Sequence, residues 1–345
     1  DLVNSKTILS DPLDACYAVA RLTDSAKDYL LVASETENAC LAYDVNRDFA
    51  RTVVWSEVGG TMSIIQVPGT LDFLATQRFY PGFDAKDCRI VHGQFEGEGK
   101  WTITEVGAFP YLHRFDLVDN ERGAILFIGC TIANSKQFVE DWSDDGKIFV
   151  GHFDKQVRQL TNVEELPLRL KKNHGYYPVH AEHYSLITAV EWIYRLDYPQ
   201  GVSDWTLIQL FDEETSDIVQ LDMDGDGRLE NMIIQAFHGD SLRILSEDFK
   251  EELFAYPEAT PFGHAIWSGT LLGQPTFVFG WRSGKKHLLA FTYENGRFLE
   301  HMIAPEVASS NCLAFEKAGK SYIFSANNGK NTVALYELQK EEKNA

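Results

Sequence analysis

The chain has 345 residues, with 31 Lys and Arg against 51 Asp and Glu, which gives a formal net charge of −20. Nucleic acids and anionic membranes are also negatively charged and would repel such a surface, so neither is expected as a partner. A hydrophobic fraction of 44% supplies enough apolar side chains for a large core and excludes a largely disordered chain. No apolar stretch reaches the ~18 residues that a membrane-spanning helix needs, which predicts a soluble protein.

Short apolar runs rich in Val, Ile, Phe and Tyr recur along the chain, separated by Gly, Asp and Asn. Runs of roughly 4–8 such residues are typical of β-strands. In chain order, the clearest runs are residues 29–33, 71–75, 124–129, 148–152, 206–211, 232–236, 276–280, 287–292, 321–325 and 332–338. Helical periodicity is limited to short segments, the best of them 182–192. The sequence therefore predicts an all-β protein.

Seven segments repeat one pattern: a first strand, a Gly- or Asp-containing turn, a second strand and a polar loop. Their first strands begin, at intervals of 43 to 61 residues, at Cys16, Met62, His113, His174, Asp217, His264 and Asn311. Repeats averaging about 49 residues fit the four-stranded blades of a β-propeller. We predict one seven-bladed β-propeller over residues 1–338, with a pair of β-sandwiches as the alternative. A spare strand around residues 6–9 would complete the last blade and close the ring.

The strongest local motif lies between the first two predicted strands of the fifth repeat. It contains Asp222, Asp224, Asp226 and Glu230, interrupted by two glycines that permit a sharp turn. Carboxylates at alternate positions with a more distant Glu form the oxygen-only ligand set that Ca²⁺ prefers. We predict a calcium site that stabilises this turn, and an acidic hairpin turn without metal is the alternative.

The segment 216–231 around this motif resembles the FG-GAP/VCBS type of propeller repeat. Further segments together resemble the propeller part of aldos-2-ulose dehydratase and its bacterial relatives: 132–136, 140–146, 172–175, 263–267, 325–328 and 333–336. The resemblance implies a divalent-metal-dependent enzyme that acts on keto- or anhydrosugars. That family carries additional domains for which this chain is too short, so no activity housed in them is expected here.

Three of the seven predicted first strands begin with histidine: His113, His174 and His264. First strands line the central channel of a propeller, so equivalent positions in successive blades form a ring. Three imidazoles at one channel mouth predict a site for Zn²⁺, Mn²⁺ or Fe²⁺ with positions left open for water or substrate. The alternative is that each histidine is a channel-wall residue hydrogen-bonded to neighbouring backbone.

The loops after the second strands are expected on the same face as these histidines, and the acidic turn on the opposite face. These loops mix charged with aromatic side chains, as carbohydrate sites do. The predicted proton carriers are His238, Lys136, Tyr80 and Asp141. The predicted substrate contacts are Arg78, Trp142, Arg282, Asp240 and Asn327.

Together these features predict a lyase, dehydratase or isomerase that acts on a keto- or anhydrosugar, whose carbonyl the channel metal would polarise. The alternative is a non-catalytic, calcium-stabilised propeller that binds a glycan or a protein. Five scattered cysteines favour reduced, buried thiols and a cytoplasmic protein, or a secreted one if a leader preceded Asp1. Residues 339–345 are predicted to form a solvated charged tail. The oligomeric state is left open.

Overall fold

The computed structural model describes residues 3–120 and 123–341. Within these residues the chain forms seven antiparallel sheets of four strands each and three short 3₁₀ turns. No helix in the described part of the chain is long and apolar enough to cross a membrane. The predicted all-β, seven-bladed architecture is confirmed.

The strands follow one another along the chain with short connections. They begin with β1 (Val3–Pro12), β2 (Cys16–Thr23), β3 (Asp28–Ser34), β4 (Cys40–Asp44), β5 (Ala50–Trp55), β6 (Ile64–Gln66), β7 (Phe73–Gln77), β8 (Arg89–Gly97) and β9 (Lys100–Ala108). They continue with β10 (Leu112–Asp119), β11 (Ile125–Thr131), β12 (Gly146–Asp154), β13 (Gln159–Leu170), β14 (Gly175–Val179), β15 (Tyr184–Thr188), β16 (Ile193–Asp197), β17 (Thr206–Phe211), β18 (Asp217–Leu221) and β19 (Glu230–Gln235). They end with β20 (Ser241–Leu245), β21 (Glu252–Ala255), β22 (Gly263–Leu271), β23 (Gln274–Trp281), β24 (Leu288–Glu294), β25 (Arg297–Ala304), β26 (Ser309–Lys317), β27 (Lys320–Asn327) and β28 (Thr332–Lys340). The 3₁₀ turns are Val45–Arg47, His180–Glu182 and Asn328–Lys330.

The innermost strands form a closed ring around the channel. They are β2, β6, β10, β14, β18, β22 and β26, and each contacts the innermost strands of both neighbouring blades. Because β26 also contacts β2, the ring has no open edge.

The N-terminal strand closes the last blade, as predicted. β1 pairs antiparallel with β28 from Val3 opposite Lys340 to Pro12 opposite Thr332, and the sheet order is β1-β28-β27-β26. β28 continues through Lys340, so the strand runs two residues into the segment predicted as a tail. Residues 342–345 of that segment lie outside the described residues.

The core lies between neighbouring blades, which pack face to face. The second strands β3, β7, β11, β15 and β19 are buried at every position. Burial on both faces explains why these strands read as continuous apolar runs rather than as alternating patterns. All five cysteines are buried and unpaired, and burial raises the pKa of four of them to about 12: Cys16, Cys88, Cys130 and Cys312.

Four innermost strands start with a β-bulge, which inserts one extra residue at the channel mouth. The extra residues, at equivalent positions in their blades, are Tyr17, His113, His264 and Ser310. A bulge re-aims a side chain and shifts the register by one. The predicted equivalence of Cys16 and Asn311 with the histidines is therefore wrong by one residue, because Tyr17 and Ser310 occupy those positions.

A hydrogen-bonded cluster also ties the third blade to the fourth. His180 Nε2 lies 2.6 Å from Oδ2 of Asp116, and Tyr176 donates its hydroxyl to the same oxygen at 2.6 Å. Asp116 is buried, so its carboxylate depends on these donors. Burial acts to lower the pKa of His180, but the hydrogen bond and the negative charge of Asp116 outweigh it and raise that pKa.

We expect His180→Asn to destabilise the protein most at mildly acidic pH. A histidine whose folded pKa is raised contributes stability below its unfolded pKa of about 6.5, and this contribution is lost as pH rises through the folded pKa. The His180 side chain is 45% exposed, so solvent screening limits the effect to about 1 kcal/mol. Thermal unfolding between pH 5.5 and 9 measures the difference. His183→Asn is the matched control, and an equal deficit at every pH would contradict the assignment.

Candidate functional site

A cavity of about 320 Å³ opens at one mouth of the channel. Its wall is built from the starts of innermost strands and from loops that follow second strands. The residues that line it are Tyr17, Glu35, Met62, Phe79, Tyr80, Pro81, Gly82, Phe83, His113, His174, His238, Phe262, His264 and Arg282. The three histidines predicted at the channel therefore do share one opening.

Each of these three histidines is fixed by a hydrogen bond to the next blade. Nδ1 of His113 lies 3.2 Å from the carbonyl oxygen of His174, and Nδ1 of His174 lies 3.2 Å from that of Ser216. Nδ1 of His264 bonds the carbonyl oxygen of Ser310 in the same way. A carbonyl oxygen only accepts, so each Nδ1 carries a proton, and in the neutral imidazole the lone pair is then on Nε2.

His238, in the loop after β19, completes a compact group with two of them. Its Nε2 lies 3.3 Å from Nε2 of His174, and the ligand nitrogens of His174, His238 and His264 all lie within 4.8 Å of one another. Zn–N bonds of about 2.0–2.1 Å in a tetrahedral site place two nitrogens about 3.3 Å apart. Asp217 accepts from Nδ1 of His174 at 3.0 Å, as carboxylates behind metal-ligating histidines commonly do.

This group differs from the predicted ligand set in one residue. His113 was predicted as a ligand and is not part of the group, although its ring centroid lies 4.5 Å from that of His174. His238, predicted as a proton carrier, takes its place. The reason is local: the loop after β19 brings the imidazole of His238 against Nε2 of His174.

The cavity disfavours protonation of His113, His238 and His264. Burial, followed by the positive charge of Arg114, lowers the pKa of His113 well below its usual range. Burial, followed by Arg282, does the same for His264. Burial, followed by the neighbouring His174, lowers the pKa of His238 to about 2. Neutral imidazole is the form that binds a metal ion.

A largely buried carboxyl group, that of Glu35, also lines the cavity. Burial raises the pKa of Glu35, while Arg282 at 3.5 Å and the side-chain amide of Asn328 at 3.4 Å act against this shift. Arg282 also donates to the amide oxygen of Asn328 at 2.9 Å, and its guanidinium lies 4.4 Å from the ring centroid of Phe262. Glu35 is thus a carboxyl group poised near the histidine group with a raised pKa.

Aromatic rings and two lysines form the rim. Phe83, Trp142 and Phe237 have ring centroids 4.9 to 5.9 Å apart. Nζ of Lys136 lies 3.4 Å from the centroid of Trp142, and Nζ of Lys172 lies 5.4 Å from it. Trp142, predicted as a substrate contact, therefore holds the ammonium group of Lys136 over its ring.

Two of the predicted proton carriers are already engaged by neighbours. Tyr80 lines the cavity but donates its hydroxyl to Glu37, and burial together with Glu37 raises its pKa to about 12. The carboxylate of Asp141 accepts hydrogen bonds within its own loop, first from Ser143 and also from the backbone of Gln137, and these lower its pKa to about 2.

The predicted substrate contacts are only partly brought together. Arg282 lines the cavity, whereas Arg78 and Asp240 are exposed and outside its lining. Asn327 is buried inside the last blade, where it donates to the hydroxyl of Tyr336 at 2.9 Å. Its neighbour Asn328 reaches the site instead.

Sequence reasoning missed Tyr17, Glu35, Phe262 and Lys172. Tyr17 is the extra residue of the β-bulge at the start of β2, and the sequence alignment placed Cys16 there instead. Glu35 could have been found, because it follows the second strand of the first blade, and loops after second strands were expected at the channel mouth.

The acidic hairpin lies in the fifth blade, at the end of β18 away from the channel mouth. Asp217 contacts His174 at one end of β18, and the hairpin begins beyond Leu221 at the other end. Carboxylate oxygens of the four predicted calcium ligands, Asp222, Asp224, Asp226 and Glu230, lie within 4.8 Å of one another. Gly225 and Gly227 have φ angles of 77° and 84°, which side chains rarely adopt.

By its fold and its channel mouth, the protein is a seven-bladed β-propeller with a histidine-lined cavity.

No protein-family model matches the chain, and no curated protein matches its sequence. Among solved structures, the chain is similar to the WD40 β-propeller domain of Doa1, with a TM-score of 0.60, 13% identity, and coverage of 98% of this chain and 97% of that chain. It is also similar to the Dos1 propeller, with a TM-score of 0.55, 10% identity, and coverage of 89% of this chain and 74% of that chain.

At these identities the similarity shows the fold alone. The predicted β-propeller is confirmed, while the finer resemblance to FG-GAP/VCBS repeats and to aldos-2-ulose dehydratase is not supported by these comparisons, whose structures are a WD40 propeller and the Dos1 propeller.

We propose that the acidic hairpin binds Ca²⁺, and we expect Ca²⁺ to raise the melting temperature of the protein. Ca²⁺ at about 100 times its Kd stabilises the folded state by about 2.7 kcal/mol. The double variant Asp224→Asn/Asp226→Asn should lose this shift, and differential scanning calorimetry measures it. Glu57→Gln/Glu164→Gln removes the same charge at exposed positions and should keep the shift. Equal Ca²⁺ shifts in both double variants would reject the site.

Proposed function

We propose that this propeller binds a divalent metal ion and a small polar molecule together at the channel mouth. The observation that carries the proposal is the group formed by His174, His238 and His264, whose ligand nitrogens lie within 4.8 Å of one another. Three imidazoles leave coordination positions open, as sites that also bind water or a ligand do. The Nδ1 protons of His174 and His264 are committed to backbone carbonyls, so Nε2 is the nitrogen available to the metal.

The donor set and the cavity fit such a ligand. Imidazole suits Zn²⁺ and other first-row transition metals, in agreement with the metal expected from the sequence. The cavity of about 320 Å³ lies at the small end of the range for small-molecule sites, which favours a molecule of monosaccharide size. A bound ion would supply Lewis acidity to an oxygen of the ligand. Arg282 and Asn328 would orient polar groups, and Phe262 would cover an apolar face.

A lyase or dehydratase acting on a keto- or anhydrosugar is the catalytic form of this proposal. Elimination beside a carbonyl needs a group that removes a proton and a group that returns one. Glu35 suits this role better than Tyr80, whose hydroxyl is engaged by Glu37, and better than Asp141, which lies outside the cavity lining. Its carboxyl group would hold or move the proton on the side of the cavity formed by Arg282.

The second candidate is a non-catalytic propeller that binds a glycan or a protein. The comparisons favour it over the lyase, since a WD40 domain is among the similar structures and neither reported structure is described as a lyase. Phe138 and Val139, which are 63% and 49% exposed, lie in the same loop as Lys136 and would offer an apolar contact for a protein partner.

Metal binding tests the main proposal directly. We expect the wild-type protein to bind Zn²⁺ or Mn²⁺ in isothermal titration calorimetry, and His174→Ala, His238→Ala and His264→Ala each to weaken binding at least about 100-fold. His113→Gln should change the affinity only a few-fold, because His113 lies outside the group. His287→Gln, at a histidine that does not line the cavity, is the control. Wild-type affinity in His238→Ala would show that the group is not the metal site.

Activity separates the two candidates. We expect the metal-loaded protein to convert an anhydro- or ketosugar to an ultraviolet-absorbing enone, and Glu35→Gln to slow this reaction about 10²- to 10⁴-fold. Metal affinity should be unchanged in Glu35→Gln, since the proposed metal ligands are three histidines and Glu35 is not one of them. Glu57→Gln serves as the surface control. Tight binding of sugar without any product in a panel of anhydro- and ketosugars would favour the non-catalytic candidate.

A further inference from the structure

Cations gather at the channel mouth although the protein as a whole is acidic. The chain carries 20 more acidic than basic groups. At this mouth, Arg282 pairs with Glu35 at 3.5 Å, and Asp217 accepts from His174 at 3.0 Å. Three further cations, Arg114, Lys136 and Lys172, contact aromatic side chains at or beside the cavity instead of a carboxylate.

The two lysines are held at the rim without a carboxylate partner. In the described residues, no carboxylate oxygen lies within 4 Å of Nζ of Lys136 or Lys172. Lys136 donates instead to the backbone oxygen of Asp141 at 2.6 Å. The carboxylate of Asp141 is near enough to raise the pKa of Lys136 but accepts its hydrogen bonds from the loop.

Aromatic rings fix where the ammonium groups sit. Lys136 lies over Trp142 and 5.5 Å from the ring centroid of Phe83, which lines the cavity. Lys172 lies 5.1 Å from the ring centroid of Phe237, which stacks on His238 at 4.1 Å. The two charges thus flank the histidine group. Burial, and to a smaller extent repulsion from Lys172, lowers the pKa of Lys136.

Arg114 adds a third unpaired charge deeper in the channel. It donates to the carbonyl oxygens of Met62 and His113 at 3.1 and 3.2 Å and lies 3.5 Å from the hydroxyl of Tyr17. None of these partners carries a negative charge. Its positive charge contributes to the lowered pKa of both His113 and His264.

Partly buried cations that are not in direct contact with a carboxylate favour the binding of an anion between them. A divalent ion at the histidine group would strengthen this tendency. A neutral sugar would leave Lys136 and Lys172 without a direct anionic contact, and the Trp142 ring is not free to stack on a sugar because Lys136 already lies over it.

We propose that the small molecule bound at the channel mouth carries an oxyanion, a carboxylate or a phosphate, which Lys136 and Lys172 bind at the rim. This inference rests on the proposed function, because it names the class of molecule that the same cavity takes. The body of the molecule then extends toward His174, His238 and His264. The neutral keto- or anhydrosugar expected from the sequence is the competing ligand class.

Three matched probes test the charge requirement: D-glucuronate, D-glucose 6-phosphate and D-glucose. Isothermal titration calorimetry is carried out on the full chain, both loaded with Mn²⁺ and after treatment with EDTA. We expect at least one of the two anions to bind at least about tenfold more tightly than D-glucose, and this preference to shrink as NaCl is raised. The stronger anion identifies the oxyanion as carboxylate or phosphate.

The variant Lys136→Gln/Lys172→Gln should weaken binding of that anion at least about tenfold while leaving Mn²⁺ affinity within a few-fold of wild type. Lys100→Gln/Lys155→Gln removes the same charge from two exposed positions and should bind the anion like wild type. Equal affinity for all three probes, or equal anion affinity in both double variants, would overturn the inference.

The two hypotheses fail in distinguishable ways. If Mn²⁺ does not bind the wild-type protein, the proposed metal site is wrong, and anion selectivity is still measured in the EDTA-treated protein. If Mn²⁺ binds and no anion preference is found, the metal site stands and the oxyanion inference falls.

Discussion

The hydrogen bond from one blade to the next at the channel mouth is the interaction on which the candidate site depends. His113, His174 and His264 each donate Nδ1–H to a backbone carbonyl of the following blade. Ser63 and Ser310 do the same with their hydroxyls, toward His113 and Tyr17. These bonds satisfy buried polar groups where the blades meet, and they also fix the imidazole tautomer. The same hydrogen bonds therefore join neighbouring blades and direct Nε2 of each histidine toward the channel. The candidate site depends on the bonds that also stabilise the fold.

The electrostatics of the cavity follow from that arrangement. Burial and nearby cations disfavour protonation of His238 and His264, and neutral imidazoles can accept a metal but cannot balance an anion. The charges that would balance a bound anion are those of Lys136, Lys172 and Arg114, which lie around the histidines rather than among them. A metal and an anion in the same cavity would each reduce the cost of binding the other, because their charges are opposite. By thermodynamic linkage such coupling is reciprocal, so each would raise the affinity for the other by the same factor.

The sequence was sufficient for the fold and for only part of the site. Second strands buried on both faces produce apolar runs that are visible without a structure, and their spacing reveals seven blades. The residues that turn into the channel are harder to predict, because a one-residue bulge decides between Cys16 and Tyr17. The same uncertainty applies at the end of β27, where Asn328 contacts the cavity residues Glu35 and Arg282 while Asn327 is buried inside the last blade. His238 could be assigned to the correct face, but its contact with His174 depends on loop geometry that no periodicity encodes.

The fifth blade joins the two candidate sites through a single hairpin. β18 carries Asp217 at the channel mouth and leads to the acidic turn, and β19 returns from that turn toward His238. Strands of five or six residues span about 17–20 Å, so an ion at the turn is too far away to act on the channel chemistry by contact. Such an ion could still affect the position of His238, because β19 connects the acidic turn to the loop of His238 and is buried and closely packed along its whole length. A calcium ion there would stabilise the hairpin that presents His238 and the carboxylate behind His174, which gives the acidic turn a structural role in a site that it does not touch.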